Sequence, residues 1–227
     1  MRVSLSHVRP RAIIYDHDGT LVDSLDVVVA ATNAVLEKHG KAAQPRDAII
    51  QGMVEPTPIR MGLLLSVADV PARQRLAAEF YQAAQAFSPR QVRAYPGITE
   101  LLVTARGLGI AQGVVSNNQG NFVRNVLAHL GLGAHFSAVV GEEDMPAPKP
   151  DPRGLLAVAQ SLQRERSAVW YVGDTVGDLH TAQAAGMPCI GVTWGITPRE
   201  TLTQHGFLAV IDTPQQLLAL IAAQNSR

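Results

Sequence analysis

Ile13-Ile14-Tyr15-Asp16-His17-Asp18-Gly19-Thr20 ends an apolar run in two carboxylates, two residues apart. In an extended chain, side chains at i and i+2 point to the same side, so Asp16 and Asp18 are expected to face one space beyond a strand. Two anions so close repel unless a cation or a shared proton relieves them. The expected reliever is Mg²⁺, a hard ion that takes carboxylate oxygens and tolerates bound phosphate. Gly19 permits a sharp exit and Thr20 adds a hydroxyl. Three further segments carry chemistry-bearing side chains. Val114-Val115-Ser116-Asn117-Asn118 sets a hydroxyl and two amides at a strand end. Pro148-Lys149-Pro150 sets a lysine in a proline-stiffened loop. Val172-Gly173-Asp174-Thr175-Val176-Gly177-Asp178 again ends a strand in spaced carboxylates. Lysine is scarce here: only Lys38, Lys41 and Lys149 stand among 19 basic residues. A compact point charge at position 149 is therefore distinctive.

The elements that must position these groups follow from hydrophobic patterning. Strands are expected at 12–15, 110–115, 136–140, 168–172, 189–192 and 208–211. Helices are expected at 98–107, 119–130, 153–161, 176–185 and 214–223. That alternation predicts an α/β fold, a Rossmann-like open parallel sheet with right-handed connections. Ligands bind such sheets beyond the strand C-termini, near a switch point in strand order. Residues 24–93 lack convincing strands. They read as helices at 26–39, closed by Gly40, at 59–67 and at 72–87, with Ser88-Pro89 and Tyr95-Pro96-Gly97 as breaks. The expected division is an α/β core of 1–23 and 94–227, with a helical insertion at 24–93.

Composition sets bounds. With 19 basic and 19 acidic residues the formal charge is zero, which gives no reason to expect nucleic acid or a membrane as partner. No apolar run is long enough for a membrane span. The first eleven residues hold three arginines and no hydrophobic signal core, and Cys189 is the only cysteine, so no intrachain disulfide can form. A cytoplasmic enzyme, monomeric or homodimeric, fits these features.

The four segments, in this order and at these strand ends, resemble the haloacid dehalogenase superfamily, specifically its phosphatases with a helical cap inserted after the first motif. The likeness covers nearly the whole chain, including Tyr95-Pro96-Gly97 and the stretch from Gly186 to Gly195. The run from Asp16 to Ser24 looks most like phosphoglycolate phosphatases. The resemblance implies Mg²⁺-dependent hydrolysis of a small phosphorylated metabolite. Asp16 would be the nucleophile that forms an aspartyl-phosphate, and Asp18 the general acid and base, with its backbone carbonyl on the metal. Ser116, Asn117, Lys149 and Thr20 would hold phosphate. Asp174 would ligate the metal, with Asp178 as a second ligand or outer-sphere partner. A sugar phosphomutase and a non-catalytic phosphate-binding regulator are the alternative readings. A phosphonatase route would need a cap lysine; none occurs from 42 through 148, which leaves only Lys38 and Lys41 and disfavours that route.

The remaining notable residues have plainer expectations. His17 departs from the usual large apolar residue between the two aspartates. Strand alternation turns it away from them, as a packed or hydrogen-bonded ring. Ser116 could also cap a helix, with Gln119 completing a capping box. Cys189 and Trp194 read as packing residues; Arg46 and Arg60 could reach an anionic substrate, with surface charge as the default for each.

Overall fold

The segment Ala12–Tyr15 is inaccessible to solvent along its whole length, as a near-continuous apolar run in a parallel sheet must be. In the computed structural model, which describes residues 9–224, it forms β1 at the middle of the sheet. The chain then makes β2 (Val22–Asp23) and four helices, α1 (Leu25–Lys38), α2 (Arg46–Gln51), α3 (Thr57–Leu65) and α4 (Val70–Gln91). It returns through β3 (Arg93–Ala94), which pairs antiparallel with β2. The two crossings between the sheet and these helices are thus tied to each other, Val22 opposite Ala94 and Asp23 opposite Arg93.

The rest of the chain alternates as expected: α5 (Ile98–Gly107), β4 (Ala111–Val115), α6 (Gly120–His129), β5 (Ala138–Val140), α7 (Arg153–Ser161) and β6 (Val169–Gly173). It continues through α8 (Val176–Ala185), β7 (Cys189–Val192), α9 (Arg199–Thr203), β8 (Ala209–Ile211) and α10 (Pro214–Ala223). Six parallel strands lie in the order β5-β4-β1-β6-β7-β8. From β1 the chain first builds outward through β4 and β5, then crosses to build the other half from β6. The switch in direction therefore falls beside β1, between β4 and β6.

Side chains alternate between two cores. Ile13, Tyr15, Val114, Trp170, Val172 and Ile190 pack on one face, in a cluster that continues into α1 and α4 through Val27, Ala31, Phe80 and Tyr81. Ala12, Ile14, Val115 and Tyr171 pack on the other, against Leu155 and Val158 of α7 and Leu179 and Ala182 of α8. Each large apolar side chain contributes ~1.5–3 kcal/mol on full burial, which makes the strand ends firm supports for the loops beyond them.

Some expectations are corrected. Ser88-Pro89 does not break the chain: α4 runs through it to Gln91. A proline near a helix C-terminus removes one donor, and the cluster that buries Phe80, Tyr81 and Ala84 holds the helix together. The strand expected at 136–140 begins only at Ala138, after a 3₁₀ turn at Gly133–His135. The short helices α2 and α9 escape periodicity because neither completes two turns. Gly40 follows α1 with φ of +67°, the left-handed conformation of a glycine stop. Among the described residues no helix is long and apolar enough to cross a membrane. The expectation about an N-terminal signal falls largely on residues 1–8, outside those described.

Candidate active site

Tyr15 is the last residue of β1, paired with Val114 on one side and Val172 on the other. Asp16, Ser116 and Asp174 follow immediately after β1, β4 and β6. Three strand ends at the switch point thus deliver their polar residues to one place. Lys149 arrives from the loop before α7 and Asp178 from the first turn of α8. All of these line one cleft of about 150 Å³, together with Asp18, Asn117 and residues of α1 and α3.

Lys149 is the hub. Its Nζ lies 2.7 Å from Asp16 Oδ1 and 2.8 Å from Asp178 Oδ1, and donates to the Tyr171 hydroxyl at 3.0 Å. Burial alone would favour the neutral amine, but Asp16 and Asp178 outweigh it and raise its pKa, so it stays charged. Asn117 fixes the lysine's backbone from both sides: Nδ2 donates to the Lys149 carbonyl at 3.1 Å, and the Lys149 N–H donates to Oδ1 at 2.7 Å. The carboxamide of Asn117 thus positions the lysine, and the residue also lines the cleft where phosphate is expected.

One cation faces three buried acids. Asp16, Asp174 and Asp178 each offer an oxygen within 4.8 Å of the others. Burial, opposed by Lys149 but reinforced by Asp178 and Asp18, pushes Asp16 up to about 7. Burial and the charges of Asp178 and Asp16 raise Asp174 well above the carboxylate range. Asp178 is the exception. Burial opposes its charge, but Lys149, Thr175 and Tyr171 hold it low. Thr175 donates to its Oδ2 from both backbone (3.1 Å) and hydroxyl (2.6 Å), while Tyr171 donates to Oδ1 at 2.9 Å. An oxygen cage with surplus negative charge suits a divalent cation. Asp178 accepts two hydrogen bonds on each oxygen and fits an outer role; Asp16 and Asp174 accept fewer and keep lone pairs for an ion.

Asp174 is also shaped by glycines. A Cβ at Gly19 or at Gly195 would overlap its carboxylate, and one at Gly173 would overlap Asp178. The Ile196 N–H donates to Asp174 Oδ2 at 2.9 Å, and the Thr20 hydroxyl to Oδ1 at 3.3 Å. Thr20 was expected on the substrate; it is buried behind Asp174 and absent from the cleft wall. Its carbonyl accepts from Trp194 Nε1 at 2.9 Å, which gives that packing residue a fixed seat.

Asp18 stands apart from the three-acid cage. Its Oδ1 accepts from the Ser24 hydroxyl, and its Oδ2 from Asn118 Nδ2 at 2.5 Å. His17 Nδ1 lies 3.0 Å from the same Oδ2. Burial would raise the pKa of Asp18, but His17, Ser24 and Asn118 together bring it down to about 2. The expectation that His17 turns away from the carboxylates is corrected: β1 ends at Tyr15, and alternation does not extend into the turn. The ring is fully buried and hydrogen-bonded, as expected of its environment, while its Nε2 has no partner. Ser116 does not cap a helix. Helix α6 begins after Gln119, and Ser116 Oγ accepts from the Asn118 N–H at 3.1 Å while lining the cleft.

Sequence reasoning missed several contributors. Ser24 and Asn118 lie beside motif residues, but nothing local shows that both bind Asp18. Tyr81, on α4, accepts from the Gln119 N–H at 3.0 Å and bonds Asn118 Oδ1 at 3.0 Å, so the helical insertion touches the Asp18 network. Arg60 is not a surface charge: it is buried to 6% exposure and lines the cleft. Arg46 is exposed and pairs with Asp26.

An open parallel sheet with acids and one lysine gathered at its switch point is suited to a divalent cation and an anionic ligand. The model of the haloacid dehalogenase-like hydrolase family matches residues 13–192, and the chain belongs to that family. It is a phosphatase of the phosphoglycolate phosphatase-like kind. A phosphoglycolate phosphatase of Pseudomonas fluorescens is 30% identical over 216 residues, 92% of this chain and 79% of the relative. An N-acetylmuramic acid 6-phosphate phosphatase of Pseudomonas aeruginosa is 28% identical, covering 96% of this chain and 97% of its own. A haloacid dehalogenase-like hydrolase from Bacteroides fragilis superposes with a TM-score of 0.85 at 27% identity, covering 92% and 99% of the two chains.

Proposed function

We propose that this protein hydrolyses a small phosphomonoester, of the phosphoglycolate kind, through an aspartyl-phosphate on Asp16, with Mg²⁺ as cofactor and the cytoplasm as its setting. The observation that carries the reading is Lys149 Nζ held between Asp16 and Asp178 at the rim of a three-carboxylate cage. Asp16 and Asp174 would hold the ion, with Asp178 behind them and the Asp18 carbonyl completing the set. When bound, the ion neutralises charge on the carboxylate and the phosphoryl oxygens, so that two anions can approach.

Each residue then has a task. Asp16 Oδ attacks phosphorus and displaces the alkoxide. Lys149 and Ser116 hold the phosphoryl oxygens as charge spreads over them. Asp18 gives a proton to the leaving oxygen, then takes one from the water that cleaves the acyl phosphate. The hydrogen bonds on Asp18 favour its ionised form, the form of the base. A bound phosphate dianion beside it raises its pKa and supplies the acid form. We assign helices α1–α4 the role of a cap that excludes bulk water, with β2 and β3 as its paired hinges. Both named relatives are phosphatases named for substrates that are phosphorylated acids. The small cleft favours such compact esters over drug-sized ligands, whose pockets run ~300–1,000 Å³.

The test is phosphate release from a panel of metabolite phosphoesters with Mg²⁺. Turnover of at least one ester that Asp16→Asn abolishes supports the reading. No turnover, or turnover indifferent to Asp16→Asn, overturns it.

A further inference from the structure

Arg60 is the most anomalous charge in the molecule. It lies on α3, where its backbone N–H donates to the Pro56 carbonyl at 2.9 Å. Its guanidinium carbon sits over the Phe80 ring of α4, 4.9 Å from the ring centre, within cation–π range. The side chain is buried at 6% exposure, and Nε is fully buried with no hydrogen-bond partner. No ion pair joins the guanidinium to another described residue. Arginines this deep are almost always paired.

The cleft makes that orphaned edge meaningful. Arg60 and Lys149 are the two cations in its wall. Lys149 is committed to Asp16 and Asp178. Arg60 is therefore the cation in the wall that forms no ion pair with a described residue, although the charge of Asp18 acts on it. A guanidinium edge made of Nε and a terminal nitrogen matches the two oxygens of a planar carboxylate, which accepts both N–H groups at once. The unmet Nε belongs to that edge.

We propose that Arg60 is a specificity-determining residue: it binds a carboxylate on the substrate, opposite the phosphate held at Asp16 and Lys149. The preferred substrates are thus phosphorylated carboxylic acids, and neutral phosphoesters are disfavoured because they leave Arg60 buried and unmatched. This rests on the proposed activity on esters of the phosphoglycolate kind and assigns the preference for a carboxylate to one residue.

Two esters of nearly equal size separate the cases: 2-phosphoglycolate, and 2-hydroxyethyl phosphate, which lacks the carboxylate. Hydrogen bonds to a charged group contribute ~1.5–3 kcal/mol, which is about 10- to 150-fold. Wild-type protein with Mg²⁺ is expected to favour the acid by that factor in kcat/KM. Arg60→Met is expected to collapse the ratio towards unity, and Arg60→Lys to restore part of it. Calorimetric titration of both esters into Asp16→Asn protein reads the same preference without turnover, and Arg60→Met in that background should erase it. Equal wild-type rates and affinities for the two esters overturn the proposal while leaving the phosphatase reading intact. A parallel loss on both esters in Arg60→Met also overturns it, because Arg60 then serves the phosphate or the fold. Absence of turnover with a retained binding preference overturns the phosphatase reading and supports the carboxylate site.

Discussion

Replacing Asp16 with asparagine should make the metal-free protein more stable at neutral pH, although it removes the group assigned to attack phosphorus. Asp16 has a pKa near 7, against 3.8 for an unperturbed aspartate, chiefly through burial. A rise of about 3 units, at ~1.36 kcal/mol each, is about 4 kcal/mol. The folded protein binds this proton more tightly than the unfolded chain. The associated stability is therefore fully present below about pH 4 and is lost as pH rises through about 7. Asparagine keeps the shape without the charge. Both Lys149 Nζ and the His17 N–H contact Oδ1, an oxygen the amide retains. The variant should thus exceed the parent by up to about 4 kcal/mol at pH 8 in chelator. The figure is an upper bound, since a neutral carbonyl is the weaker acceptor for a lysine. The gap should close at pH 4, where the parent carboxyl is protonated in the folded state. Millimolar Mg²⁺ should stabilise the parent more than the variant, because only the parent has the full set of acids. Urea denaturation at pH 4, 6 and 8, with chelator and with Mg²⁺, measures all of this. A variant no more stable than the parent at pH 8 in chelator, or a gap unchanged at pH 4, would refute the account of the cage as a site of surplus negative charge.

Two other perturbations probe the supports of the site. Gly195→Ala puts a methyl group where the Asp174 carboxylate now sits; the Mg²⁺ concentration for half-maximal phosphate release should rise about 10- to 100-fold, as when groups that orient metal ligands are lost, and an unchanged Mg²⁺ titration would count against Asp174 as a ligand. Tyr81→Phe deletes the hydroxyl that meets the Gln119 N–H and Asn118; leaving the Gln119 N–H unpaired costs about 1–3 kcal/mol, and because Asn118, then held on Oδ1 by Thr57 alone, also holds Asp18, the loss should appear in kcat as well as in the melting temperature, whereas a stability loss alone would show that Tyr81 only anchors the helices.

The parts of the site that were legible in sequence share one physical property: each follows a strand of the parallel sheet. A buried apolar run declares both its own position and the place where the chain must leave the core, so Asp16, Ser116 and Asp174 could be set at one end of the sheet by a local rule. Lys149 was legible for a different reason, its isolation among arginines. Local rules fail a few residues later. Thr20 carries the expected hydroxyl, yet it turns behind Asp174, because Gly19 (φ +74°) redirects the chain after β1. His17 meets Asp18 for a related reason: strand alternation ends where the hydrogen-bonded ladder ends, at Tyr15.

The helical insertion was legible as helices but not as a binding surface, and the two kinds of information differ in origin. Helix periodicity is written within each segment. What a side chain meets across helices depends on how α3 seats against α4, and the composition of α3 alone does not encode that. Arg60 illustrates the difference. A charged residue on a short helix reads as solvent-facing by default. Its burial involves Phe80, distant in sequence on α4, whose ring lies beside the guanidinium. The chemistry of the reaction is thus encoded at strand ends, where geometry is inherited from the sheet. The choice of substrate is encoded in contacts between helices. A substitution at Phe80 that preserves volume but removes the aromatic face should therefore disturb which ester is chosen before it disturbs whether any ester is cleaved, because it frees the orientation of Arg60 while leaving β1, β4 and β6 untouched. Ratios of kcat/KM for 2-phosphoglycolate and 2-hydroxyethyl phosphate in Phe80→Leu protein measure this, and an unchanged ratio alongside a lower rate on both esters would show that Phe80 serves the fold alone.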